Sequence, residues 1–238
     1  MGRNKMKTDH RFIVEMRKVT LPDGERKTSC VIAYDLKGKI YHPNSEMINY
    51  ILPKIDEQYE RMLLEYFSNG KKNLEKYLNE FLVSISSYAI IGKGLRDVLV
   101  EDLNVSINTV EDMIKSTEWY KEVIKYVKRE YKKINKEDPV RYAENIRQLA
   151  ELFGVNGTLE ILNEESIGIR RSTVQALCKI AVETPKIKQL IRSGKLKLTI
   201  AFEIPSFNEE EREKIAQKLS NTKYSKAKQY LKKLKRQN

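Results

Sequence analysis

Apolar and polar residues alternate at the start of the chain. Phe12, Val14, Met16 and Val19, then Cys30, Ile32 and Tyr34, follow the two-residue spacing of strands with one apolar face. Leu21-Pro-Asp-Gly-Glu25 and Lys37-Gly-Lys39 interrupt the run with turn-forming residues, so residues 11–41 predict a small antiparallel β-meander. From Asn44-Ser45 the period lengthens to that of a helix. Ser45 can cap a helix bearing Ile48, Ile51, Leu52 and Ile55, which Pro53 should kink or delay. The same helix continues through Tyr59, Met62, Leu63 and Phe67 and stops at Asn69-Gly70. Residues 74–91 set Leu78, Phe81, Leu82, Ile85 and Tyr88 at helical spacing, and Gly92-Lys-Gly94 marks a loop.

Residues 95–115 predict two short helices about a turn. Leu103-Asn-Val-Ser-Ile-Asn-Thr-Val110 aligns with Ile167-Gly-Ile-Arg-Arg-Ser-Thr-Val174, which makes 95–115 a possible second helix-turn-helix or simply a leucine-rich helix pair. Its outward positions are Asn108, Glu111 and Asp112, and the acids there would repel phosphate. A long basic helix spans 117–136. Asn135-Lys-Glu-Asp-Pro139 then ends one region and caps the next helix, with Pro139 in its first turn. The domain boundary falls here, between 1–136 and 137–238. Beyond it the pattern predicts helices near 139–153, 158–165, 171–182, 185–193, 196–204, 208–220 and 223–236. The fold class is mainly α with a small N-terminal antiparallel β-meander.

The most informative stretch is 158–178. It reads as a helix, a turn at Gly168, and a second helix opening with Arg170, Arg171, Ser172 and Thr173. That second helix buries Val174 and Leu177 and presents Gln175 and Lys179. A helix held by its apolar face, with donors at its N-terminal end, is the shape that enters a DNA major groove. Arg170 and Arg171 can reach phosphates or a guanine edge. Thr173 and Gln175 lie on the exposed face, where Gln175 can pair with adenine, and Lys179 is placed for a phosphate. Lys186, Lys188, Arg192, Lys195 and Lys197 flank this surface and position the protein rather than specify sequence.

The last hundred residues resemble the helix-turn-helix domain of the ParB/KorB family of plasmid and chromosome partition proteins. Asp138-Pro-Val-Arg-Tyr-Ala-Glu144 is similar to the family's Asn/Asp-Pro-x-Glu-x-Ala opening, and Gly168-Ile-Arg-Arg-Ser-Thr-Val174 to its turn and recognition helix. Thr184-Pro-Lys-Ile-Lys-Gln-Leu-Ile-Arg-Ser-Gly-Lys-Leu196 resembles the segment that follows, and Leu198-Thr-Ile-Ala-Phe-Glu-Ile204 its short helix. Tyr224-Ser-Lys-Ala-Lys-Gln-Tyr-Leu231 resembles the closing basic helix. The resemblance covers 138–235 and implies site-specific binding of double-stranded DNA, in partition or transcriptional regulation.

Two departures narrow that expectation. Family members that hydrolyse CTP use a Gly-Glu-Arg-Arg motif, whereas Gly24-Glu-Arg-Lys27 lies in a hairpin loop far from the reader helix, and Glu144-Asn-Ile-Arg147 sits inside the DNA-binding region. Nucleotide hydrolysis is not expected. Arg170 stands where the family has a small residue, so base contacts do not transfer.

Composition adds charge to this picture. The 238 residues carry 45 Lys and Arg against 33 Asp and Glu, a formal net charge of +12. The excess gathers at the N-terminus, along 121–136, and in the tail 223–236, which has seven basic residues and no acid. Mean hydropathy is −0.58, and no apolar run suits a membrane span or a signal peptide. Cys30 and Cys178 form no disulfide framework, and His10 and His42 have no metal-ligand spacing, so neither cofactor nor metal is expected. No catalytic constellation emerges, and an enzyme is not expected. The thirteen tyrosines fall mostly at core spacing. Expected partners are double-stranded DNA, a second copy in a homodimer on an inverted repeat, and a partition ATPase or another protein at residues 11–135. The expected location is the cytoplasm, on nucleoid or plasmid. The other readings are a nonspecific architectural or chromatin protein, and an adaptor whose helix-turn-helix binds a protein.

Overall fold

The computed structural model describes the main chain of residues 14–20, 26–34, 39–41, 52–87, 95–133 and 136–236. The described residues are mainly helical. Two compact units divide the chain: Met1–Ile124 with Glu151–Gly154, and Lys125–Ala150 with Val155–Asn238.

In the first unit, strands β1 (Val14–Thr20), β2 (Arg26–Tyr34) and β3 (Lys39–Tyr41) pair antiparallel in that order, with Met16 opposite Cys30 and Ile32 opposite Tyr41. Which faces their side chains cover, the two connecting turns, Ser45, and the loop Gly92-Lys-Gly94 all lie outside the described residues. In helix α1 (Leu52–Asn69) Pro53 is the second described residue, and the stretch before it, where Ser45 was expected to cap the helix, lies outside the described residues. A 3₁₀ turn (Gly70–Lys72) follows, then α2 (Leu74–Ser87), α3 (Leu95–Leu103) and α4 (Ile107–Ser116). Leu74, Leu78, Phe81, Leu82 and Ile85 on α2 are buried, as their spacing requires. Tyr59 donates from Oη to Asp102 Oδ2 at 2.8 Å, and the Trp119 amide donates to Asn79 Oδ1 at 2.7 Å. Phe67 is 65% exposed beside Leu64 at 68%, so the periodicity that placed Phe67 in the core overruns the buried face by a turn.

The connection between α3 and α4 is short, with Asn104 in the left-handed region (φ 52) and Ser106 accepting from the Thr109 amide as N-cap. Glu111 pairs with Arg96 at 2.8 Å, and Asn108 and Asp112 are exposed.

The second unit takes the end of α5 (Glu118–Tyr131), which stops short of the expected 136, and nearly all of α6 (Pro139–Glu164). Asp138 caps α6 by accepting from the Val140 and Arg141 amides at 3.0 Å, and Pro139 fills its first turn where no amide is needed. Gly154, at φ 71 and ψ 170, breaks α6 in two where the sequence pattern changes. That backbone conformation is open only to glycine. Helices α7 (Arg171–Ala181), α8 (Pro185–Arg192), the short α9 (Leu198–Ala201), α10 (Glu209–Leu219) and α11 (Tyr224–Leu234) complete the unit. The expected helix at 196–204 is only α9, followed by a 3₁₀ turn at Ile204–Ser206 that Pro205 favours. Cys178 is buried, and of the tyrosines Tyr59 and Tyr142 are core while Tyr131 and Tyr224 are exposed.

Between α6 and α7 the reversal is made by Ser166 (φ 61), not by Gly168, whose φ is ordinary. A Cβ on Gly168 would meet only Tyr131 Oη at 3.6 Å. Gly168→Ala is therefore expected to leave stability within about 0.5 kcal/mol of the parent. Ser166→Gly should gain roughly 0.5–1 kcal/mol by relieving left-handed strain. Urea unfolding of both variants checks the pair, and a large loss on Gly168→Ala would contradict this backbone assignment.

Candidate nucleic-acid interface

Helix α7 is seated by Val174, Leu177, Cys178, Ile180 and Ala181, all buried. The opposite face presents Arg171, Ser172, Gln175 and Lys179, all exposed. The helix contains no acid. Arg170 is its N-cap but provides no side-chain cap, and its carbonyl accepts from the Thr173 and Val174 amides at 2.9 and 3.1 Å. The Arg171 and Ser172 amides are thus left at the positive end of the helix dipole, which favours an anion there. Thr173 is only half exposed and turns toward a neighbouring cleft, not onto the Gln175 face where the sequence reading put it.

The flanking cations divide into two groups. Lys186 pairs with Glu213 at 2.9 Å, Lys188 with Glu144 at 2.9 Å, and Arg192 with Asp138 at 3.2 Å and Glu144 at 3.7 Å. The bond from Lys186 also holds the Glu213 carboxyl below its usual range. These three side chains fasten α8 to α6 and α10, so their charge is already answered within the unit. The two acids of the Asp138-Pro-Val-Arg-Tyr-Ala-Glu144 opening are the ones that hold Lys188 and Arg192. By contrast Arg170, Arg171, Lys179, Lys195 and Lys197 are exposed and make no ion pair among the described residues. The Lys195 carbonyl accepts from the Asn221 amide at 2.7 Å, which fixes its loop against the start of α11.

Sequence reasoning missed the residues that hold the turn before α7. Lys128 Nζ lies 2.9 Å from Glu165 Oε2, and Tyr131 Oη donates to the Gly168 carbonyl at 3.2 Å. Both come from α5, 37 residues away in the chain, and no local pattern announces such a link. Behind them Glu130, 0% exposed, accepts from Lys133 at 2.9 Å, from the Glu137 amide at 2.9 Å and from Arg129 at 3.2 Å. Burial alone would raise its pKa, but the bonds from Lys133 and the Glu137 amide more than offset this and hold it below 4.5.

A carboxyl with a depressed folded-state pKa stabilises the fold above its unfolded value, and that contribution is lost as pH falls through the folded value. Glu130→Gln should therefore be less stable than the parent near pH 6, with the gap closing as pH falls through and below the usual carboxylate range. Thermal unfolding midpoints across that range check this. A gap that widens on acidification would be inconsistent with an ionised Glu130.

No family model matches the chain, and no curated protein or solved structure is significantly similar to it. Among the described residues no helix is long and apolar enough to cross a membrane, and no His, Cys, Asp and Glu cluster could hold a metal ion.

Proposed function

We propose that the chain binds double-stranded DNA site-specifically, with the end of α6, the turn at 165–170 and α7 acting as a helix-turn-helix of the ParB/KorB kind. The biological output would be plasmid or chromosome partition or transcriptional control, without nucleotide hydrolysis, by a homodimer on an inverted repeat. The supporting observation is the two-sided character of α7: five buried residues on one face, and Arg171, Ser172, Gln175 and Lys179 exposed on the other with no acid among them. Such a helix enters a major groove without repelling phosphate. Arg170, Lys195 and Lys197, which make no ion pair among the described residues, are candidates for backbone contacts on either side.

Selection of bound duplexes from a random pool, followed by footprinting, tests the reading. A preference below about a thousandfold over bulk DNA would count against site specificity. If Lys195 touches a phosphate, Lys195→Ala should reduce the slope of log affinity against log salt by about 0.9. Lys188→Ala should leave that slope unchanged, because Lys188 is bound to Glu144.

One observation favours a nonspecific architectural reading. Helix α11 buries Ala227 and Leu231 and exposes Lys226, Lys228, Lys232 and Lys233, with Tyr224 46% exposed at its start. That face suits sequence-independent contact with phosphates. Loss of most binding on deleting 223–238, with Arg171→Ala silent, would favour it.

A further inference from the structure

A cleft of about 880 Å³ opens beside the N-terminal end of α7, within the second unit. Its volume is in the range of sites for small organic ligands, roughly 300–1,000 Å³. Among the described residues no acid lines it. Its lining includes, among the described residues, the apolar Leu177, Ile191 and Leu198 and the aromatic Tyr131, Tyr142 and Phe202. Four cations reach the cleft, but they are not equivalent. Arg192 is held by Asp138, and Lys136 donates to the Glu130 carbonyl at 3.0 Å with its Nζ 4.5 Å from the centre of the Tyr142 ring. Arg170 and Lys197 are exposed and make no ion pair among the described residues. Thr173 and Thr199 line the same space.

An apolar lining with aromatic residues favours a planar hydrophobic group. Two cations with no ion pair among the described residues, together with two threonines, favour a single anionic substituent on it. We propose that this cleft binds a small aromatic anion, a planar ring bearing one phosphate, sulfonate or carboxylate, with Arg170 and Lys197 holding the charge. A purely structural groove would have no need of cations without an ion pair among the described residues, and a simple phosphate contact would have no need of the apolar lining. The cleft wall includes Gly168, Ile169 and Arg170 of the turn and Thr173 in the first turn of α7. Where α7 reads DNA as proposed above, an anion on Arg170 removes a phosphate contact, so ligand and DNA weaken each other's binding by the same factor.

Calorimetric titration of the full chain with phenyl phosphate tests the site without DNA, so its outcome is independent of the DNA-binding reading. Saturable binding is expected, at least about tenfold tighter than for inorganic phosphate or phenol alone. Arg170→Ala and Lys197→Ala should each weaken it about tenfold, while Lys226→Ala, on α11 and outside the cleft, leaves it unchanged. Thr199→Trp, which fills the cleft and keeps both cations, should abolish it. The proposal is overturned by any of three results: no saturation below about 10 mM, equal affinity for inorganic phosphate, or equal weakening by Lys226→Ala. A chain that binds phenyl phosphate but no DNA would leave the cleft assignment standing and remove only its coupling to DNA.

Discussion

Replacing Arg171 and Gln175 together by Ala is expected to lower affinity for the selected DNA site by about a hundredfold or more, with bulk DNA affected by less than about tenfold. Both side chains are exposed on the first half of α7, and Arg171 has no ion-pair partner among the described residues. An arginine contact to guanine and a glutamine contact to adenine are each worth about 1–3 kcal/mol of discrimination. Neither substitution touches the buried face of Val174, Leu177 and Ile180, so the helix stays seated and stability barely changes. Fluorescence anisotropy with the selected duplex and with a scrambled one separates the two affinities. Retention of the full site preference would exclude α7 as the reader.

Ile167→Ala should destabilise the second unit by about 2–5 kcal/mol, the range for truncating a buried isoleucine. Ile167 is 0% exposed, and its amide donates to the Leu162 carbonyl at 2.7 Å, directly after the left-handed Ser166. It is the buried apolar residue of the connection from α6 to α7, since Ile169 is only half-buried. Its removal leaves a void under the turn that the neighbouring left-handed backbone resists closing. The variant should therefore lose stability and DNA affinity together, unlike the Arg171 and Gln175 pair. Urea unfolding monitored by circular dichroism gives the cost. A loss below about 1 kcal/mol would mean that backbone bonds alone hold the turn.

Much of the second unit was legible because its signals are local. Asp138-Pro139 announced the start of α6 through capping chemistry that needs only adjacent residues. The period of Val174 and Leu177 fixed the buried face of α7, and so by subtraction put Gln175 and Lys179 outside. Thr184-Pro185 fixed the start of α8 in the same way, with Thr184 accepting from the Ile187 amide. Where a signal depended on neighbours outside the helix, it failed. Phe67 fits the helical period of α1 and is nevertheless exposed, because periodicity does not say where the facing element ends. Gly168 looked like the turn residue, yet the chain reverses at Ser166, a position whose strain the surrounding bonds tolerate.

The candidate interface divides along the same line. Sequence alone determined that a cationic, acid-free helix follows the turn and that Gln175 and Lys179 on it face outward, since a helix fixes those directions within a few residues. It put Thr173 on that face too, whereas Thr173 is half exposed and lines the cleft. It could not distinguish Lys186, Lys188 and Arg192 from Lys195 and Lys197. All five are basic residues in one short stretch, and only tertiary structure brings Glu213, Glu144 and Asp138 against the first three. The same is true of Tyr131 and Lys128, which reach the turn from α5, and of the cleft bounded by residues from 131 to 202. Charge is a property of a residue, but whether that charge is free depends on neighbours that chain folding, not chain order, supplies.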